Sequence, residues 1–158
     1  VYYSAFSPIP DASAVLPLKR PPLMREHRLY QSDWLIRFYG FSTSEVQAST
    51  DETGMLALDI DPKLAWALRH RGEFPVDINL APREKLLRVP GLGTRAIASI
   101  LQARRHHRLR LDDLARLTRT ITKLRPFIVT ADWRPTMLID TSDLRTRLAP
   151  PRQMELFG

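Results

Sequence analysis

Leu86-Leu87-Arg88-Val89-Pro90-Gly91-Leu92-Gly93-Thr94-Arg95-Ala96-Ile97-Ala98-Ser99-Ile100-Leu101 reads as two helices joined by a tight turn. The first helix is predicted to start at Asn79-Leu80-Ala81-Pro82, with Asn79 as its cap, and to run to Arg88. The second spans Thr94 to Arg105, with Ile97, Ile100 and Leu101 on one face. Gly91 and Gly93 flank Leu92, so the backbone is free to take positive φ and nothing protrudes beyond the main chain at the turn. Leu92 is expected to pack between the two helices, and Ala96 is small enough for them to cross closely. The first amides of the second helix have no acceptor within it and point outward with the positive end of its dipole. Such an end binds anions.

Positive charge gathers around this turn. From Ala81 to Phe127 there are twelve Lys and Arg residues against Glu84, Asp112 and Asp113, a balance of +9, while the whole chain carries +7. The remainder is therefore −2. That distribution favours a polyanion at the turn. The quoted stretch resembles the helix-hairpin-helix family of DNA-binding motifs, and two flanking segments strengthen the resemblance. Val76-Asp77-Ile78-Asn79-Leu80-Ala81-Pro82 looks like the lead-in of domains of the competence DNA-receptor type, and Leu109 to Leu117 looks like the linker and first helix of a paired second hairpin. The second hairpin departs from the family, because Thr118-Arg119-Thr120-Ile121-Thr122-Lys123 has no glycine. It is expected to complete the core with Leu114, Leu117, Leu124 and Ile128, and to supply Arg119 and Lys123 as point charges. The resemblance implies sequence-independent contact with DNA phosphates by Pro90, Gly91, Leu92, Gly93, Thr94 and Arg95, supported by Arg104, Arg105, Arg108 and Lys123. It also implies a monovalent cation at the turn carbonyls. A plain helical corner, whose glycines only end a helix, is the competing reading.

Outward from the hairpin, Arg25 to Tyr39 is predicted as an amphipathic helix with Leu29, Tyr30, Trp34, Leu35, Phe38 and Tyr39 as its apolar stripe and Gly40 as its stop. Ser42 and Glu45 have capping-box spacing for a short helix that fades by Thr50, and Asp61-Pro62 opens another through His70. Short helices fit Asp112 to Leu117, Ile121 to Arg125 and Asp143 to Leu148. The fold class expected is mainly α: a tandem helix-hairpin-helix-like domain, its second hairpin degenerate, with an N-terminal extended and helical extension. Residues 1–24 read as the end of a preceding domain and a Pro-rich linker, 25–72 as a helical connecting region, 73–130 as the DNA-binding domain and 131–158 as a C-terminal tail.

Composition narrows the chemistry further. There is no cysteine, which excludes disulfides, thiol nucleophiles and thiolate-held zinc or iron-sulfur clusters within this chain. The four histidines lack helical metal-site spacing, and His106-His107 reads as a solvated pair. No apolar run of about eighteen residues is present and no signal pattern opens the chain, so a cytoplasmic protein without a membrane partner is expected. The chain starts with Val1 rather than Met, on strand-like residues without partner strands nearby, and reads as part of something longer.

Tyr2 to Pro10, Leu18 to Leu23, Arg25 to Gln31 and Asp61 to Trp66 resemble the C-terminal part of putative DNA modification/repair radical SAM proteins. The resemblance implies a [4Fe-4S] cluster and S-adenosylmethionine in an N-terminal part that this cysteine-free sequence does not include. The end, Gln153-Met154-Glu155-Leu156-Phe157-Gly158, resembles the bacterial sliding-clamp-binding peptide, with Gln153, Met154, Leu156 and Phe157 as partner-binding residues. A protein-interaction module that docks a replication or repair partner is therefore the alternative function. Catalysis within the chain finds no support in the residues. Arg95 stands where related glycosylases place a lysine nucleophile, Asp112-Asp113 reads as charge opposing a helix dipole, and Asp132 is a lone carboxylate beside Trp133.

Overall fold

The structure, a computed structural model, describes Tyr2, residues 21–136 and residues 143–150. Most of the Pro-rich N-terminal stretch, with the strand-like residues before it other than Tyr2, lies outside the described residues, as do Gln153, Met154, Leu156 and Phe157 of the clamp-like end. The chain is mainly helical. In order run α1 (Leu23–Tyr39), α2 (Thr43–Gln47), α3 (Pro62–Arg69), β1 (Val76–Asp77), α4 (Arg83–Arg88), α5 (Thr94–Ala103), α6 (Leu111–Leu117), α7 (Ile121–Leu124), β2 (Ile128–Val129) and α8 (Leu144–Leu148).

Several boundaries follow from local chemistry visible in the sequence. Gly40 ends α1 in the left-handed conformation (φ 66°), its N–H bonded to Leu35 O. Ser42 and Glu45 form the capping box of α2. Asp61 caps α3 by accepting from Leu64 N at 2.9 Å, with Pro62 in the first turn.

Other features differ from expectation. Asn79 caps no helix. Its backbone turns on Asp77, whose Oδ1 accepts from Asn79 N at 2.8 Å, and α4 starts only after Pro82, which has no N–H to contribute. The Asn79 side chain instead reaches the loop after α5, accepting from Leu109 N at 2.7 Å and donating to Leu109 O at 3.1 Å. The apolar stripe of α1 is its buried face only in part: Leu35 is buried and Tyr39 packs against the core, but Trp34 and Phe38 are 58% and 51% exposed, while Arg28 and Ser32 face inward. Inward placement of Arg28 is sustained by hydrogen bonds from its guanidinium to Leu58 O (2.8 Å) and Gln31 Oε1 (2.7 Å).

Nor was the short parallel sheet foreseen. Val76 pairs with Ile128 and Asp77 with Val129, so the two ends of the segment carrying α4 to α7 are tied together. One continuous core runs through the molecule. Leu35, Phe41 and Trp66 from the first helices join Leu86, Leu92, Ile97, Ile100, Leu114 and Leu124, and Leu144 and Leu148 of α8 complete it, crossing the expected boundaries at 72 and 130. Among the described residues no helix is long and apolar enough to cross a membrane.

Candidate nucleic-acid interface

The turn between α4 and α5 has the shape its residues dictate. Gly91 takes φ 83°, and a Cβ there would lie 3.1 Å from Thr120 Oγ1 and 3.4 Å from Leu124 Cδ2. The backbone therefore favours glycine, and the packing leaves little room for a Cβ. Gly93 is different: φ is −84°, and a Cβ would meet nothing nearer than the Tyr39 hydroxyl at 3.9 Å. Positive φ is needed at one glycine of the pair, not at both. Leu92, 2% exposed, is buried as expected, and Pro90 is buried too. These two shape the turn from inside, while Gly91 and Arg95 are exposed and Gly93 and Thr94 half-buried.

Helix α5 begins at Thr94 with Gly93 as N-cap and no side chain closing its first turn. The start of this ten-residue helix, fronted by glycine and closed by no side chain, leaves its first amides without an acceptor in the helix. Beside it the Arg95 side chain is exposed and enters no ion pair with another described residue.

Thr120 and Lys63 hydrogen-bond to this turn from elsewhere in the sequence. Thr120, immediately before α7, donates from Oγ1 to Gly91 O at 2.8 Å. Lys63, in the first turn of α3, donates from Nζ to Leu92 O at 2.8 Å and lies 4.4 Å from the centroid of the Tyr39 ring. Burial pushes the Lys63 ammonium down to about 7, an effect opposed by Asp61 and reinforced by Arg88. Leu92 O and the Gly93 N–H belong to one peptide group, so a charged donor on the oxygen polarises the amide toward an incoming anion. Of the turn carbonyls where the resemblance implies a monovalent cation, Gly91 O accepts from Thr120 and Leu92 O from Lys63, which leaves one lone pair on each.

The remaining cationic residues are not gathered at the turn. Arg104, Arg105 and Arg108 follow the far end of α5, roughly 15 Å along the helix axis from Gly93. Arg104 is directed into the fold, donating to Ile78 O (3.0 Å) and Ala81 O (2.7 Å). Arg105 and Arg108 are exposed. Lys123 is exposed on α7, whose N-cap Thr120 touches the turn. Arg88, one of the twelve basic residues around the hairpin, forks onto Glu45 (2.9 and 3.1 Å) and binds Tyr39 O and Gly40 O, locking α4 to the end of α1.

The acidic residues have structural partners. Asp113 accepts from Arg110 N at 2.8 Å at the start of α6. Asp132 accepts from Leu111 N (2.8 Å), Thr130 Oγ1 (2.8 Å) and Arg110 Nε (3.2 Å), and these bonds, the Leu111 amide first, hold its carboxyl below the usual range. His107 lies 3.6 Å from Asp113 on an exposed surface. Among the described residues no group of three or more His, Cys, Asp or Glu could hold a metal ion.

Sequence reasoning missed Lys63 and Thr120. A signal was present for the first: a lone lysine in Pro62-Lys63-Leu64-Ala65-Trp66-Ala67, otherwise apolar. For Thr120 there was none, because its partner is 29 residues away. No protein-family model, no curated protein and no solved structure matches this chain.

Proposed function

We propose that the chain binds the sugar-phosphate backbone of DNA, without regard to sequence, through the α4–α5 hairpin acting as a helix-hairpin-helix. The observation that carries this reading is the uncapped start of α5 behind a glycine turn, with the exposed Arg95 beside it and a buried ammonium behind it. In the same reading α6 and α7 form the degenerate second hairpin. Thr120 and Leu124 press against Gly91 from that side, bracing the intact turn in place of a second glycine nest. The source of binding is then one turn and its charged surroundings, in a radical SAM DNA modification or repair protein whose cluster and S-adenosylmethionine belong to a part outside this sequence. That parentage, and the sliding-clamp role of Gln153 to Phe157, rest on sequence resemblance alone.

Fluorescence anisotropy with a labelled duplex tests the binding. Gly93→Ala and Arg95→Ala are the informative variants, because neither residue is held by positive φ or by an ion pair. Both are expected to bind more weakly than wild type, with Arg95→Ala lowering the slope of log affinity against log salt by about one. Wild-type affinity in both folded variants would overturn the proposal.

A further inference from the structure

Beside the hairpin turn lies an open cleft of about 700 Å³, a size typical of small-ligand sites. Tyr30, Trp34 and Tyr39 of α1 line one side, Lys63 the start of α3, and Gly91 and Gly93 the turn itself. The chemistry of the walls is divided. Bare backbone and the Lys63 ammonium suit a phosphate, aromatic rings suit a flat π-system, and Glu26, His27, Gln31 and Asp61 add hydrogen-bonding groups for a polar edge. A nucleotide combines all three properties. Lys63 is 6% exposed, so its charge is held by the fold rather than dispersed in solvent. Trp34 is 58% exposed, its ring tilted against that of Phe38 at 4.9 Å, so much of the residue faces solvent. In a regular duplex the bases are stacked and cannot leave the helix to enter a cavity without being extruded.

We propose that this cleft accepts one unpaired nucleotide of the DNA held by the hairpin, its phosphate toward the Gly91–Gly93 turn and Lys63, its base against the aromatic rings of α1. The inference rests on the DNA-binding reading of the turn and adds to it a preference for DNA carrying an unstacked base. The site recognises the nucleotide by charge and stacking, so it discriminates paired from unpaired more strongly than one base from another.

Three labelled duplexes of one sequence separate the possibilities: fully paired, with a single-thymidine bulge, and with the same bulge made abasic. Each is titrated against wild type, Trp34→Ala and Lys63→Met, with the fold of every protein checked by circular dichroism and thermal unfolding. The thymidine bulge is expected to bind at least about fivefold tighter than the paired duplex, in line with the stacking of one base on an aromatic ring. That ratio should fall toward one for the abasic bulge, and for the thymidine bulge in Trp34→Ala. Lys63→Met should weaken all three duplexes. Equal wild-type affinity for the three duplexes overturns the inference and leaves backbone binding standing. An abasic bulge as favourable as the thymidine bulge also overturns it, since the protein would then read flexibility rather than a base. Absence of binding to any duplex removes both readings together.

Discussion

Gly91, Gly93 and Lys63 have separable roles at the turn. At Gly91 the left-handed backbone disfavours any other residue by roughly 1–2 kcal/mol, and a Cβ would press on Thr120 at 3.1 Å. Gly91→Ala is therefore expected to lower stability and DNA affinity together, whereas Gly93→Ala should leave the denaturation midpoint close to wild type and weaken binding only. Chemical denaturation beside anisotropy distinguishes the two. Lys63 makes a pH-dependent prediction. Its value of about 7 in the fold lies below that of a lysine in an unfolded chain, about 10.4. Between those values the unfolded state holds the extra proton, so stability rises with pH through that window and the burial cost is fully present below it. Lys63→Met should flatten that rise, measured as urea midpoints at pH 6.5 and 9. DNA affinity should run the other way. A phosphate favours the ammonium, so binding takes up a proton and weakens as pH climbs above about 7. The slope is carried by Lys63 among Asp61, Glu26, His27 and Arg88, and should be reduced in Lys63→Met. The glycines were legible in the sequence as a turn, but which of them needs positive φ was not, because that is set by where Thr120 and Leu124 pack.

Among the elements, Arg88 and Asn79 make long-range clamps on the hairpin and its flanks. Arg88 joins α4 to α1 and α2 through a forked ion pair and two backbone carbonyls. Its replacement by Ala should cost about 2–4 kcal/mol, since hydrogen bonds to charged groups are the stronger ones and Glu45 would lose its partner in a half-buried site. Arg88→Lys should recover little of this, because an ammonium cannot reproduce the fork. Urea denaturation of the two variants measures both. Asn79 joins the lead-in strand region to the loop before α6, and Asn79→Asp, which keeps the acceptor for Leu109 N but loses the donor to Leu109 O, should destabilise less than Asn79→Ala. Helix starts and stops at Gly40, Ser42 and Asp61 were readable because caps are chemistry within three or four residues. The apolar stripe of α1 marked Leu35 and Tyr39 on the inward side but not Arg28 or Ser32. Arg28 finds Leu58 O 30 residues away, and periodicity cannot register such a partner.

For the whole molecule, α8 belongs to the same folded body as the helices before it. Leu144 is 1% exposed in the common core, while Arg145 pairs with Asp59 at 2.7 Å with both side chains half exposed. Leu144→Ala should cost about 2–5 kcal/mol, but Arg145→Ala no more than about 1 kcal/mol, because solvent screens the pair; thermal or chemical unfolding of the two variants provides the comparison. By itself the sequence determined the helical class, the turn, the positive charge near it along the chain and the lack of thiol chemistry. These depend on composition, on residues within one helical turn, or on glycine at one point. Only the tertiary structure decided which cations face the turn. Arg104 and Arg88 are drawn into structural bonds, whereas Lys63 and Thr120 are brought to Leu92 O and Gly91 O from 29 residues on either side. The cleft beside the turn likewise exists only once α1, α3 and the hairpin share one core. Burial and hydrogen-bond satisfaction are settled over the whole packed chain, so the same lysine that is one charge among many in sequence becomes a desolvated ammonium at the hairpin.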